Sequence, residues 1–214
     1  MRKLCTSPLA WVGALLLALS FTGLHADSEK KETPVEEGFT PIFNGKDLTG
    51  WKASENGQFT VENGELVVRG KRAHLFSDKK YKNFDVKMQI MTKPGANSGF
   101  YFHTAYEETW PTTGHEAQVN CSHGDPVKNG SIYNVVKVLE PNAKDDEWYD
   151  YEVIVNGRDI KTFVNGKLVV FYTEPEGVVP GRRLNLEQGG SFAIQAHDAK
   201  SEVHYRNIRV KELP

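Results

Sequence analysis

The stretch YEVIVNGRDIKTFVNGKLVVFY, residues 151–172, decides the fold. Runs of β-branched and aromatic residues are separated by Asn156-Gly157 and by Asn165-Gly166. Asn-Gly supplies the positive φ angles that tight hairpin turns require, so the stretch predicts a meander of antiparallel strands. The same dipeptide recurs at Asn44, Asn56, Asn63 and Asn129.

Working outward, further strand patterns lie in QFTVENGELVVRG (58–70), FDVKMQIMTK (84–93), SGFYFHT (98–104), EAQVNC (116–121), SFAIQAH (191–197) and EVHYRNIRVKEL (202–213). Beyond the first residues, no long stretch carries a 3.6-residue apolar repeat, so helix is expected to be marginal. Many short antiparallel strands in one chain predict an all-β fold of two packed sheets, a sandwich or jelly roll.

The first residues read differently. Arg2 and Lys3 precede an apolar run from about Leu9 to Leu24, and Ala26 precedes the charged DSEKKE. Residues 1–26 have the layout of a secretory signal, and the run is short for a membrane span. A retained anchor is the alternative, since Leu24 is larger than the residue usual three positions before cleavage. Residues 27–37, DSEKKETPVEE, lack apolar periodicity and contain Pro34, which reads as a tether. The folded domain is then 38–214, exported to the periplasm or beyond. Cys121 is its only thiol, so packing rather than an internal disulfide must hold it together.

The 214 residues are 39% hydrophobic and 25% charged, ordinary for a globular chain. A formal charge of −2 gives no electrostatic reason to expect nucleic acid or, after signal removal, a membrane as partner. Phosphate-cradling glycine loops and nucleophile elbows are absent from the sequence.

The chemistry lies on strand faces. In EAQVNC, alternation puts Glu116, Gln118 and Asn120 on one side and Ala117, Val119 and Cys121 on the other. SGFYFHT pairs Tyr101 with His103, and SFAIQAH pairs Gln195 with His197. Antiparallel sheets are commonly wet on one side. Solvated faces favour Lys, Glu and Thr, however, whereas these carry amides, imidazoles and a phenol. With Tyr101 or Trp148 as a stacking surface, such a set suits a sugar, whose hydroxyls need fixed partners and whose C–H faces pack on rings. A two-carboxylate glycosidase needs a second acid near Glu116. Positions 118 and 120 hold amides, so Asp125, Asp198 or Glu108 would have to fold in from a loop.

FTPIFNGKDLTGWKA, ANSGFYFHT, HEAQVN, DDEWYDYEVIVNGRDIKTFVNGKLVV, GGSFAIQAH and YRNIRVKEL together resemble, in order, the blocks of the 3-keto-disaccharide hydrolase family over residues 38–214. The resemblance implies a concanavalin A-like lectin/glucanase sandwich and an exported enzyme acting on glycosides oxidised at C3. A ketone at C3 acidifies the C2 hydrogen, so one base and one proton donor suffice to expel the C1 substituent. Carried over by position, Glu116 and Gln118 match the family's Glu-x-Gln strand, with Glu116 as base or acid. Gln195 and His197 match its Gln-x-His strand, with His197 as the second proton-transfer group. Asn97 and Ser98 match its Asn-Ser-Gly turn, and Arg206 its C-terminal block. His103 stands where many relatives have Arg, which changes how a ketone or hydroxyl would be gripped.

A divalent metal on His103, Glu116 and His197 is a second reading, without a compact ligand motif behind it. Cys121, on the apolar face, reads as a buried structural thiol. A lectin-like module without catalysis and a conventional glycosidase remain as alternatives.

Overall fold

In a computed structural model of the chain, the structure describes residues 36–54, 57–177 and 183–214. The signal-type segment 1–26 and most of the tether 27–37 lie outside the described residues. The strands are β1 (Thr40–Pro41), β2 (Trp51–Ala53), β3 (Gly57–Glu62), β4 (Glu65–Gly70), β5 (Ala73–Tyr81), β6 (Phe84–Thr92), β7 (Ser98–Thr104), β8 (His115–Val119), β9 (Tyr149–Asn156), β10 (Asp159–Val164), β11 (Lys167–Thr173), β12 (Gly190–Ala196) and β13 (Val203–Glu212). No helix occurs among the described residues, and so none is long and apolar enough to cross a membrane.

Two antiparallel sheets form the sandwich the strand pattern predicts. The larger runs β11-β10-β9-β6-β13-β4-β3 with β1 added to β13, and the smaller runs β2-β5-β12-β7-β8. The meander of residues 151–172 is β9-β10-β11, at one end of the larger sheet. In the β3–β4 and β10–β11 turns both Asn and Gly take positive φ (Asn63 53°, Gly64 83°; Asn165 50°, Gly166 73°). At the β9–β10 turn only Gly157 does, because Asn156 is still paired with Asp159.

The core follows from alternation. Phe84, Val86, Met88 and Ile90 of β6 point inward with Tyr151, Val153 and Val155 of β9. They meet Leu75, Phe100, Phe102, Phe192 and Ile194 from the smaller sheet in one continuous cluster. Phe192 stacks on Tyr81 at 4.3 Å and meets Phe84 edge-on at 4.7 Å. Each such buried aromatic contributes about 1.5–3 kcal/mol.

The smaller sheet departs from a half-wet pattern. Every residue of β7, β8 and β12 is buried, so both faces are covered. On the outer face Tyr106 packs against Phe76, Tyr101 and Ala193. The chain at 129–133 lies along the free edge of β8: Gly130 N donates to Gln118 O, Gln118 N to Ser131 O and Tyr133 N to Glu116 O. Cys121 is buried beside them, accepting a bond from Asn129 Nδ2 at 3.1 Å. Burial pushes its thiol pKa up, which suits a structural role.

Candidate active site

Antiparallel pairing of β7 with β8 sets Tyr101 opposite Glu116 and Gly99 opposite Gln118. Gly99 has no side chain, and the Glu116 carboxylate lies over it: a Cβ placed on Gly99 would fall 2.3 Å from Glu116 Oε1. Tyr101 Oη donates to Glu116 Oε2 at 2.6 Å. Gln195 Nε2, from the neighbouring β12, donates to Tyr101 Oη at 2.8 Å and to Glu116 Oε1 at 3.3 Å. Both bonds to Glu116 come from donors, the arrangement an acceptor-only carboxylate requires.

The backbone under this group is clamped from the core. Tyr151 Oη reaches from the other sheet to Gln118 O at 2.8 Å, and Ser98 Oγ donates to Gln195 O at 2.6 Å while meeting Tyr205 Oη at 2.7 Å. Glu116 is 4% exposed and Gln195 2%. With its amide nitrogen committed to Tyr101 and Glu116, Gln195 keeps Oε1 buried with no hydrogen-bond partner among the described residues. Leaving such an acceptor empty costs about 1–3 kcal/mol, which a ligand hydroxyl could recover.

Asn97, Tyr101, Glu116, Gln118, Gln195 and His197 line one cavity of about 270 Å³, and Trp110, Asp125 and Tyr133 complete its wall. Gln118 Nε2 donates to Asn97 Oδ1 at 2.8 Å, fixing both amides. Trp110 stands between His197 and His74, with ring centroids 5.6 Å from each. An aromatic surface beside fixed amides and a carboxylate suits a sugar ring.

Four residues expected at the site lie elsewhere. His103 sits at a bulge where β7 carries an extra residue against β12, with φ 56°. The bulge breaks the alternation that would put His103 beside Tyr101. Its ring turns toward Phe84 and Phe102, Nε2 bonding Lys82 O at 2.7 Å and Nδ1 accepting from Asn185 N at 3.0 Å. Burial pushes its pKa down, and with both nitrogens engaged it has no lone pair for a metal shared with Glu116 and His197. Asn120 lies past the end of β8 and binds the loop that follows, donating to Asp125 O and Val127 O and accepting from His123 N. Arg206 bonds Gln89 and lies 3.9 Å over the Trp148 ring, a pair on the outer face of the larger sheet.

Trp110 and Tyr133 escaped the sequence reading because they lie in irregular connections, where alternation gives no facing. An isolated Trp in the polar loop EETWPTTG was the available signal. Asp125 does come in from a loop, one of the carboxylates considered for that part.

Among the described residues, His123, His197 and Asp198 form the one cluster whose ligand atoms lie close enough to share a metal ion. The donor set does not fit. Asp125 N donates to His123 Nδ1 at 3.0 Å, so the ring's lone pair is on Nδ1 and Nε2 carries a hydrogen toward the cluster. Asp198 Oδ2 already receives Ser201 Oγ at 2.5 Å and His197 Nδ1 at 3.0 Å.

A two-sheet sandwich presenting a buried carboxylate, amides, imidazole and Trp in one cavity is of the carbohydrate-processing type. The chain belongs to the family described as the 3-keto-alpha-glucoside-1,2-lyase-like domain, which matches residues 38–211. It is 24% identical over 243 aligned positions to a 3-keto-disaccharide hydrolase of Bacteroides thetaiotaomicron, covering 88% of this chain and 83% of that one. Among solved structures, one named as a glycosyl hydrolase from Parabacteroides distasonis superposes with TM-score 0.72 at 24% identity, covering 83% of this chain and 95% of the other. The carbohydrate-binding module CBM66 from Bacillus subtilis superposes with TM-score 0.56 at 15% identity, over 76% of this chain and 96% of the module.

Proposed function

We propose that the chain is an exported enzyme that cleaves the glycosidic bond of a disaccharide already oxidised at C3. The observation that carries this reading is Glu116: a buried carboxylate held by Tyr101 and Gln195 in a cavity walled by Trp110 and His197. Family membership and the B. thetaiotaomicron relative support the substrate class.

The chemistry balances on two groups. Glu116 takes the C2 proton, whose acidity the C3 ketone raises, and the resulting enolate expels the C1 oxygen. Protonated His197 gives its proton to that leaving oxygen, releasing the aglycone and an unsaturated ketone. Addition of water at C1 then returns a proton to His197, while Glu116 returns its proton to C2; the net change is hydrolysis. The unpartnered Gln195 Oε1 accepts from a sugar hydroxyl, and Trp110 stacks on the ring.

One observation favours a second reading. Asp125 lines the same cavity as Glu116, so two carboxylates are present as a conventional glycosidase requires. Incubating the protein with a native disaccharide and its 3-keto counterpart separates the two. The proposal expects cleavage of the 3-keto sugar alone, with Glu116→Gln lowering kcat about 10²–10⁴-fold while binding persists. Cleavage of the native sugar, or full turnover by Glu116→Gln, refutes it.

A further inference from the structure

The geometry points to Asp198 as a positioning residue: it holds His197 through Nδ1, so Nε2 is the only ring atom that exchanges a proton in the cavity. This inference deepens the proposed function and rests on it for the role of His197.

His197 Nδ1 and Asp198 Oδ2 are 3.0 Å apart. A carboxylate oxygen can only accept, so the hydrogen sits on Nδ1. Asp198 is firmly a carboxylate. Partial burial opposes its ionisation, but the Ser201 hydroxyl, the His197 ring and the Lys200 amide outweigh burial and hold its pKa down at about 2. Its other oxygen, Oδ1, accepts from Lys200 N at 2.9 Å. The Asp198 carboxylate is therefore immobilised on both sides, and His197 is oriented with it.

With Nδ1 committed, the neutral ring has its lone pair on Nε2, which has no hydrogen-bond partner among the described residues. As imidazolium the ring carries its transferable proton at that same atom, and the adjacent carboxylate stabilises that charge. One fixed atom thus serves both directions of transfer, donating to the leaving oxygen and later accepting from water. His123 reinforces the arrangement. Its Nδ1 accepts from Asp125 N and meets Asn97 Nδ2 at 3.2 Å, so its Nε2 hydrogen faces Asp198 Oδ2 at 3.9 Å. The network runs from Gln118 through Asn97 and His123 to Asp198 and His197. The titratable groups around the His197 ring are Asp198 from its own loop, His123 beside it, and, lining the same cavity, Asp125 and Tyr133 from the β8–β9 connection, Glu116 of β8 and Tyr101 of β7.

The test has an arm that needs no substrate. Nitrogen-15 NMR of the full chain, with the His197 ring assigned by its loss in His197→Gln, reads the tautomer directly. Neutral His197 carrying its hydrogen on Nδ1 is the expected result, and an Nε2–H tautomer overturns the inference whatever the substrate is. In the second arm Asp198→Asn is assayed on a 3-keto disaccharide. Its kcat falls about 100-fold with KM little changed, and its neutral His197 ring is no longer confined to the Nδ1–H tautomer, because an amide can donate to Nδ1 as well as accept from it. An unaltered ring signal, or an equal rise in KM in place of the fall in kcat, indicates a structural role and refutes the inference. If Asp198→Asn does not fold, the tautomer of the native chain still decides. A native chain with the expected tautomer and no activity on the 3-keto sugar instead refutes the proposed function while leaving the Asp198–His197 pair intact.

Discussion

Gly99→Ala should disable the site by moving one carboxylate. Gly99 is a mid-strand residue with an ordinary φ, so alanine is conformationally acceptable there. The added Cβ would nevertheless lie 2.3 Å from Glu116 Oε1 and 2.9 Å from Cγ and Cδ. Relief to ordinary contact, about 3.5 Å, requires the carboxylate to retreat by about 1 Å. That retreat strains the 2.6 Å bond from Tyr101 and the 3.3 Å bond from Gln195. Losing a hydrogen bond to a charged group costs about 1.5–3 kcal/mol. Replacing a strand glycine returns about 0.5–1 kcal/mol through the entropy of the unfolded chain. The net destabilisation is on the order of 1–2 kcal/mol, a fall in Tm of roughly 2–8 °C for a domain of this size. A misplacement of about 1 Å costs about 100-fold in rate. Thermal melts and initial rates on a 3-keto disaccharide, each compared with the native chain, measure both. Retention of kcat within twofold together with an unchanged Tm would show that the seat of Glu116 over Gly99 is immaterial, and the assignment of Glu116 would fall with it.

Two further outcomes follow from residues away from the cavity. His103→Asn keeps a residue tolerant of positive φ but breaks the bonds to Lys82 O and Asn185 N; chemical denaturation should show about 2–3 kcal/mol lost, with kcat/KM within threefold of the native value. A tenfold loss of kcat/KM at unchanged stability would return His103 to the site. Asp85 has its pKa raised to about 7, chiefly by burial and then by Glu152, and its Oδ1 has no hydrogen-bond partner among the described residues. The folded chain thus holds this proton more tightly than the unfolded chain, so the stability it contributes is present below about pH 4 and is lost as pH rises through about 7. Asp85→Asn removes that loss, so its Tm should match the native chain near pH 4 and exceed it at pH 8; equal Tm at both would count against the raised pKa.

Much of this protein was legible from local pattern. The strand pattern of FDVKMQIMTK is β6, whose buried and half-buried residues alternate, and alternation put Glu116 and Gln118 on one face of β8 and Gln195 on the polar face of β12. Asn-Gly located the turns of the meander. The same rule misplaced His103, because a single bulge reverses every facing beyond it. Arg206, carried over from the family resemblance, and Trp148, chosen for its ring, lie on a strand and a turn of the other sheet.

By itself, then, the sequence determined what period-2 geometry and turn chemistry dictate over a few residues: strands, hairpins, core faces and the polar edge of β8. Only the tertiary structure decided which strands distant in sequence became neighbours. Insertion of β12 between β5 and β7 brings Gln195 to Glu116 across 79 residues of chain, and the loops bearing Trp110, His123, Asp125 and Asp198 close around them. Those contacts depend on long-range pairing and on hydrogen bonds from irregular backbone, neither of which leaves a periodic trace in the residues themselves.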